Sequence, residues 1–179
     1  MVSPELESRR QTYLDFMRDT GKLSPAEIAA SVRESQAELL EVLRSVPEAT
    51  ADLKPDGDGE WCLRELTIHA AFSERLIAKL VYLTARGEVP TAVDLEGAGI
   101  GMMPSDTGRS YADALGDLEA MNAELIRAVE SLPAEPNLEL RLPHPIFGVL
   151  NCKEWGAFQR VHDTDHIQHA RRIISEVSG

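Results

Sequence analysis

Three of the chain's five histidines fall in the stretch VHDTDHIQHA, residues 161–170. His162 and His166 are four residues apart, so on a helix both imidazoles leave the same face one turn apart. Two neutral imidazoles at that spacing can grip one divalent ion. His69 stands alone in another segment, on a helical stripe that reads Leu66, His69, Ser73, Leu76, Leu80 and Leu83. If the two segments pack antiparallel, a rise of about 1.5 Å per residue brings His69 level with the pair to within one or two turns. Burying three imidazoles without partners costs on the order of several kcal/mol. The pattern therefore predicts that His69, His162 and His166 hold one metal ion with at least one coordination position open, the arrangement of a catalytic rather than a structural site.

Other polar residues interrupt the apolar stripes. His169 lies one turn beyond His166 as a fourth ligand, an outer hydrogen-bond partner or a solvent-facing residue; three successive turns diverge too far for one ion, which disfavours the first. Asn122 and Ser73 are candidates to hydrogen-bond a bound water or substrate. Asp163 and Asp165 either buttress an imidazole or lie in solvent. Competing metal motifs fail. A di-iron carboxylate bundle needs inward glutamates on all four helices, and the first stripe has none. His162-Asp163-Thr164-Asp165-His166 has the zincin spacing, but a shorter Asp stands where that motif has its Glu base. DGDG at 56–59 lacks the spaced ligands of a calcium loop and reads as a turn.

These residues need helices to position them, and proline delimits the helices. The ten prolines stand at 4, 25, 47, 55, 90, 104, 133, 136, 143 and 145. A proline inside a helix costs about 3 kcal/mol, so long helices must fit between them. Four gaps carry apolar stripes at helical spacing: Ser24 to about Val46, about Trp61 to Ala85, about Ser110 to Leu132, and about Asn151 to Val177. Ser24-Pro25-Ala26-Glu27 is a capping box with proline at the first helical position. Four such helices must bury their faces against one another, which makes an all-α four-helix bundle. The connection from Arg86 to Arg109 exceeds the ~2–8 residues of an antiparallel hairpin and is long enough to climb back along the bundle, giving up-down-down-up order. A further amphipathic segment, about Pro4 to Asp19, adds an N-terminal helix. Residues 1–22 thus read as a helical extension and 23–179 as one bundle domain. Leu138 to Leu142 alternates and reads as a short strand. Trp61 and Trp155, each near a helix start, read as packing at bundle ends, outside the site. His144, between two prolines, reads equally as a lid over the site or as a plain turn residue.

The chain has 179 residues, 43% of them apolar and 27% charged, which suits one folded domain and excludes a disordered chain. By surface scaling ~70% of its surface can be buried, so neither a disulfide framework nor a structural metal is needed. Thirty acidic against 18 basic residues, a net charge of -12, repel a phosphate backbone, and no basic stripe interleaves with aromatics. Nucleic-acid binding is not expected. No apolar run reaches the ~18 residues of a membrane span, and MVSPELESRRQ carries no signal-peptide core, so the expectation is a cytoplasmic protein with no membrane partner. Cys62 and Cys152 lack CxxC spacing and read as reduced thiols.

The segment HPIFGVLNCKEWGAFQRVHDTDHIQHARRI, with its His-Pro-x-x-Gly, Trp and His-x-x-x-His, resembles the signature of the DinB/YfiT-like metalloenzyme superfamily. GEWCLRELTIHAAFSERLIA resembles the family's second helix, where a Trp precedes the first His by eight residues. The resemblance covers nearly the whole chain, and His169 departs from it where the family has Gln. It implies an up-down-down-up bundle, frequently a homodimer, with a divalent metal on His69, His162 and His166. It also implies kinship with transferases and isomerases that use bacillithiol, mycothiol or related thiols. An open divalent ion can hold a thiol as thiolate or acidify water. The expected function is a metal-dependent transferase of a low-molecular-weight thiol acting on a small molecule. The alternatives are a metal-dependent hydrolase and a noncatalytic metal- or ligand-binding bundle. Histidine nitrogen suits Zn, Ni and Fe alike. Arg64, Arg75, Arg160, Arg171 and Arg172 are the nearby cations along the helices.

Overall fold

Ser24 starts the first bundle helix as its sequence requires. Its hydroxyl accepts the Glu27 N–H at 3.3 Å, and the Glu27 carboxylate accepts the Ser24 N–H at 2.9 Å, so two otherwise unpaired donors are satisfied. The computed structural model describes residues 4–91 and 108–177. Its elements are α1 (Pro4–Thr20), α2 (Pro25–Arg44), α3 (Glu48–Ala51), α4 (Leu63–Thr84), α5 (Tyr111–Glu130), β1 (Leu142–His144), β2 (Gly148–Leu150) and α6 (Cys152–Val177). The chain leaves α4 through Gly87, whose φ of 76° is the left-handed conformation that favours glycine.

Cross-helix pairs give the topology. Arg160 meets Glu34 and Arg171 meets Glu38, so α2 and α6 run in the same direction. Arg33 meets Glu130 and Arg44 meets Glu119, so α5 runs against α2. Arg64 at the start of α4 bonds the Arg109 carbonyl just before α5, so α4 and α5 are parallel. Antiparallel α4 and α6 complete the up-down-down-up bundle. Of the long α4–α5 connection, residues 92–107 lie outside the described residues. α1 packs on α6 and contributes Leu14 and Met17 to the core.

Two apolar clusters fill opposite halves of the bundle. One gathers Ile28, Val32, Val81 and Val129 with Leu14 and Met17; the other gathers Leu39, Leu43, Leu66, Leu118 and Ile173. Between them lies a layer of buried polar side chains from all four long helices.

Local structure departs from the sequence reading in three places. The short α3 was not expected. α4 begins at Leu63 rather than Trp61, because Cys62 takes an extended conformation and the Glu65 carboxylate receives its N–H. The strand lies later than expected: Leu142, Pro143 and His144 pair with Leu150, Val149 and Gly148 in a hairpin, and the alternating residues 138–141 stay outside it. Alternation marks a strand only where a partner exists. The partner here is the short segment after the turn at 145–147.

Candidate metal centre and the cavity beside it

α4 and α6 bring three imidazoles together. His69 and His166 have ring centroids 4.8 Å apart, His69 and His162 5.4 Å, and His162 and His166 4.2 Å. One ring nitrogen from each lies within 4.8 Å of the other two, so His69, His162 and His166 are placed to hold one ion. The Nε2 atoms of His162 and His166 are only 3.0 Å apart. Donors at ~2.0–2.1 Å from one cation stand at about that separation.

The electrostatics suit a cation. Burial pushes the His69 imidazole down to about 4, with a smaller contribution from His169. Burial, then His69 and His169, pushes His166 down to about 3. Burial, then His166, His69 and His144, lowers His162 well below the usual histidine range. All three rings are therefore neutral at pH 7 and offer lone pairs without first losing a proton. Their Nδ1 atoms are buried and have no hydrogen-bond partner. A hydrogen bond between the two close Nε2 atoms would engage two rings, whereas a shared cation takes a lone pair from each of the three; the Nδ1 atoms of His162 and His166 stay unpartnered in either case. The donor set fits a divalent metal. Packing holds the rings: Trp61 lies 5.0 Å from His69, and Phe158 5.6 Å from His162.

Three of the remaining sequence candidates, His169, Asp163 and Asn122, sit elsewhere. His169 is half-buried and packs on Trp61 at 5.6 Å. Asp163 faces α2, not the imidazoles: its Oδ1 bonds Gln159 Nε2 at 2.6 Å and its Oδ2 lies 2.7 Å from Ser35 Oγ. Asn122 abuts Glu74. With its amide nitrogen turned to that carboxylate, Asn122 donates to the two oxygens at 2.7 and 2.5 Å and to the Leu118 carbonyl at 2.9 Å. Glu74 also accepts from Gln159 at 3.1 Å and Gln36 at 3.3 Å. Glu74 and Gln159 were missed because a stripe analysis follows apolar positions, and both occupy the inward face in their place.

Ser35 fixes the proton inventory of this layer. Its single hydroxyl proton faces two acceptors, the Val32 carbonyl at 2.9 Å and Asp163 Oδ2 at 2.7 Å. A protonated Asp163 resolves the conflict by donating to Ser35 Oγ. Burial indeed raises the Asp163 carboxyl to about 7, against hydrogen bonds from Ser35 and Gln159 that lower it, and raises Glu74 well above the carboxylate range, with Asp163 adding to the effect. A carboxyl raised in the fold stabilises it below the unfolded value of 3.8, and this contribution is lost as pH rises through about 7. Asp163→Asn carries the neutral form at every pH. Its stability relative to the wild type should rise by roughly 2–3 kcal/mol between pH 5 and pH 8 in metal-free protein. Denaturant melts at both pH values would read this, and a pH-independent difference would refute the protonated assignment.

Beside the imidazoles opens a cavity of about 500 Å³. Its apolar wall includes Trp61, Trp155, Phe147 and Phe158, and Ser73, Tyr13, His144, Arg9, Arg10 and Asp165 also line it. Trp61 and Trp155 therefore line the cavity beside the three imidazoles, where the sequence reading put them at bundle ends. α6 begins at the level of the cavity, so Trp155 looks inward, and Trp61 folds back over α4 onto His69. None of Arg64, Arg75, Arg160, Arg171 and Arg172 lines the cavity; the cations that do, Arg9 and Arg10, come from α1. Cys62 and Cys152 are buried, unpaired thiols raised by burial, and neither lines the cavity.

No helix among the described residues is long and apolar enough to cross a membrane. Solved structures share the fold. The mycothiol-dependent maleylpyruvate isomerase superposes with a TM-score of 0.64 at 15% identity, over 82% of this chain and 60% of that one. A point mutant of that isomerase gives 0.60 at 14%, over 80% and 61%. An uncharacterised protein from Escherichia coli UTI89 gives 0.63 at 16%, over 85% and 93%. This chain thus spans about 60% of the isomerase's length. No curated protein matches it. The sequence pattern of one family matches residues 9–170, from α1 through the last of the three histidines, and the chain belongs to the DinB superfamily.

Proposed function

We propose that this chain is a metal-dependent enzyme that transfers a low-molecular-weight thiol to a small electrophile, with His69, His162 and His166 holding the metal. The observation that carries this reading is the meeting of three neutral imidazoles at the edge of a cavity of about 500 Å³, the size of a small-molecule site. A divalent ion bound there supplies an acidified thiol or water at its open position. Trp61 and Phe158 orient the rings, and the aromatic walls exclude water from the reacting atoms. In the transfer, the thiol sulfur bonds the electrophilic carbon and the thiol proton leaves with the displaced group. The chain's own cysteines are buried away from the cavity, so the sulfur comes from a free thiol. The fold shared with a mycothiol-dependent isomerase makes mycothiol the first thiol to try. The reading extends to a cytoplasmic homodimer.

Elemental analysis of the purified protein should find about one zinc, nickel or iron per chain. A panel of mycothiol, bacillithiol and glutathione against small electrophiles should then show turnover that falls at least ~10²-fold in His162→Ala. Absence of metal, or full turnover in His162→Ala, would overturn the proposal. Stoichiometric metal with no turnover would assign the site to binding alone, and ester cleavage without thiol would assign it to hydrolysis.

A further inference from the structure

His144 has a place in this cavity that the metal does not explain. It ends β1, and its Nδ1 is turned back on its own turn, accepting the N–H groups of Ile146 at 3.1 Å and Phe147 at 3.3 Å. A ring nitrogen that accepts two N–H groups carries a lone pair, so the neutral ring bears its proton on Nε2. Burial pushes this histidine down to about 4, which keeps it neutral at physiological pH. The opposite edge of the ring has no protein partner among the described residues. The ring itself lines the cavity, packed 4.5 Å from Phe158, 4.9 Å from Phe147 and 5.4 Å from Trp155. It is also close enough to His162 to disfavour charge there.

The two guanidinium groups at the cavity are engaged, while the Trp155 indole N–H is buried there without a partner and is a second donor on the same wall. Arg9 bonds the Tyr13 hydroxyl at 3.2 and 3.1 Å and pairs with Asp165. Arg10 bonds Glu7 and holds the Ile146 carbonyl at 3.2 Å, which fastens the turn to α1. An oriented N–H facing an aromatic cavity without a partner selects for an oxygen that can accept it.

We propose that His144 is a specificity-determining residue whose Nε2–H hydrogen-bonds a carbonyl or carboxylate oxygen on an otherwise apolar, ring-sized substrate held between the aromatic walls. This inference rests on reading the cavity as the substrate site, but it does not require that the metal or the thiol be as proposed.

The test uses two probes that differ at one position, 2-acetylnaphthalene and 2-ethylnaphthalene, with dissociation constants measured by ligand-observed NMR on metal-free and zinc-loaded protein. His144→Asn keeps an oxygen that can accept the turn N–H groups but cannot reach as far as Nε2. His144→Gln places an amide N–H where Nε2–H stands. The preference for the acetyl over the ethyl compound should fall about 5- to 10-fold in His144→Asn. Amide protection at Ile146 and Phe147 should stay unchanged there, and His144→Gln should keep the preference to within about 2-fold. An unchanged preference in His144→Asn, a fall that accompanies lost protection of the turn, or loss of the preference in His144→Gln would each overturn the proposal. Failure of zinc to bind would overturn the metal reading instead and leave the metal-free ratio to decide this one.

Discussion

Replacing His166 with alanine is expected to weaken zinc binding by about 10³-fold while leaving the metal-free fold within about 1 kcal/mol of the wild type. A three-nitrogen site that loses one ligand retains only two fixed donors, and the entropy of assembling them is no longer offset by a third bond. The small cost to the fold follows from the ring's environment. Its Nδ1 is buried without a partner, so truncation creates a cavity but also removes an unsatisfied polar group. Zinc at a thousand times its dissociation constant should stabilise the wild type by about 4 kcal/mol. At this chain length, that raises the melting temperature by about 8–16 °C. The increment should fall to about 0.4 kcal/mol, or roughly 1–2 °C, in His166→Ala and likewise in His69→Ala at the same zinc concentration. Thermal melts with and without zinc check this. An equal increment in the variants would mean that the ion binds elsewhere.

Gln159→Leu should destabilise the protein by about 3 kcal/mol, or roughly 6–12 °C in melting temperature. Gln159 is fully buried, and its amide donates to Glu74 at 3.1 Å and to Asp163 at 2.6 Å. Leucine fills a similar volume but offers no donor. Two buried carboxyl oxygens then lose a partner at a cost of about 1–3 kcal/mol each, partly offset because the unpartnered Gln159 Oε1 is also removed. Replacing an entire buried polar cluster by apolar groups can be neutral; breaking one member out of it is not. Asp165→Asn, an exposed carboxylate on the same helix, should stay within about 0.5 kcal/mol and serves as the control. Calorimetry on the metal-free proteins would decide. A Gln159→Leu protein as stable as the wild type would show that the polar layer contributes nothing to folding.

The two predictions probe parts of the site that differ in how far the sequence reveals them. His162 and His166 are four apart on one helix, so their proximity is local and follows from helical periodicity alone. His69 could be joined to them because it breaks a leucine stripe, and an amphipathic helix has one inward face. The helices themselves follow from proline spacing and the capping box at Ser24. The cavity walls carry no such signal. Trp61 and Trp155 look like ordinary apolar residues near helix starts, and Arg9, Arg10 and Tyr13 belong to a helix whose docking place on α6 no local pattern specifies. The sequence singles out Asp163 and Asn122 in the polar layer but not what they bond, and it hides Glu74 and Gln159, for a related reason. Glu74, Gln159 and Asp163 sit among polar neighbours in sequence, and only the fold shows that they satisfy one another across helices.

Periodicity and residue chemistry along the chain were thus sufficient for the four long helices, their order and the histidine triad, because each depends on spacing within one helix or on a single inward face. Tertiary packing alone decided that an aromatic cavity adjoins the triad, that a hairpin aims His144 at it, and that two carboxyls can be buried midway through the bundle. Those features arise from side chains far apart in sequence, and their energies depend on distances that no local pattern sets.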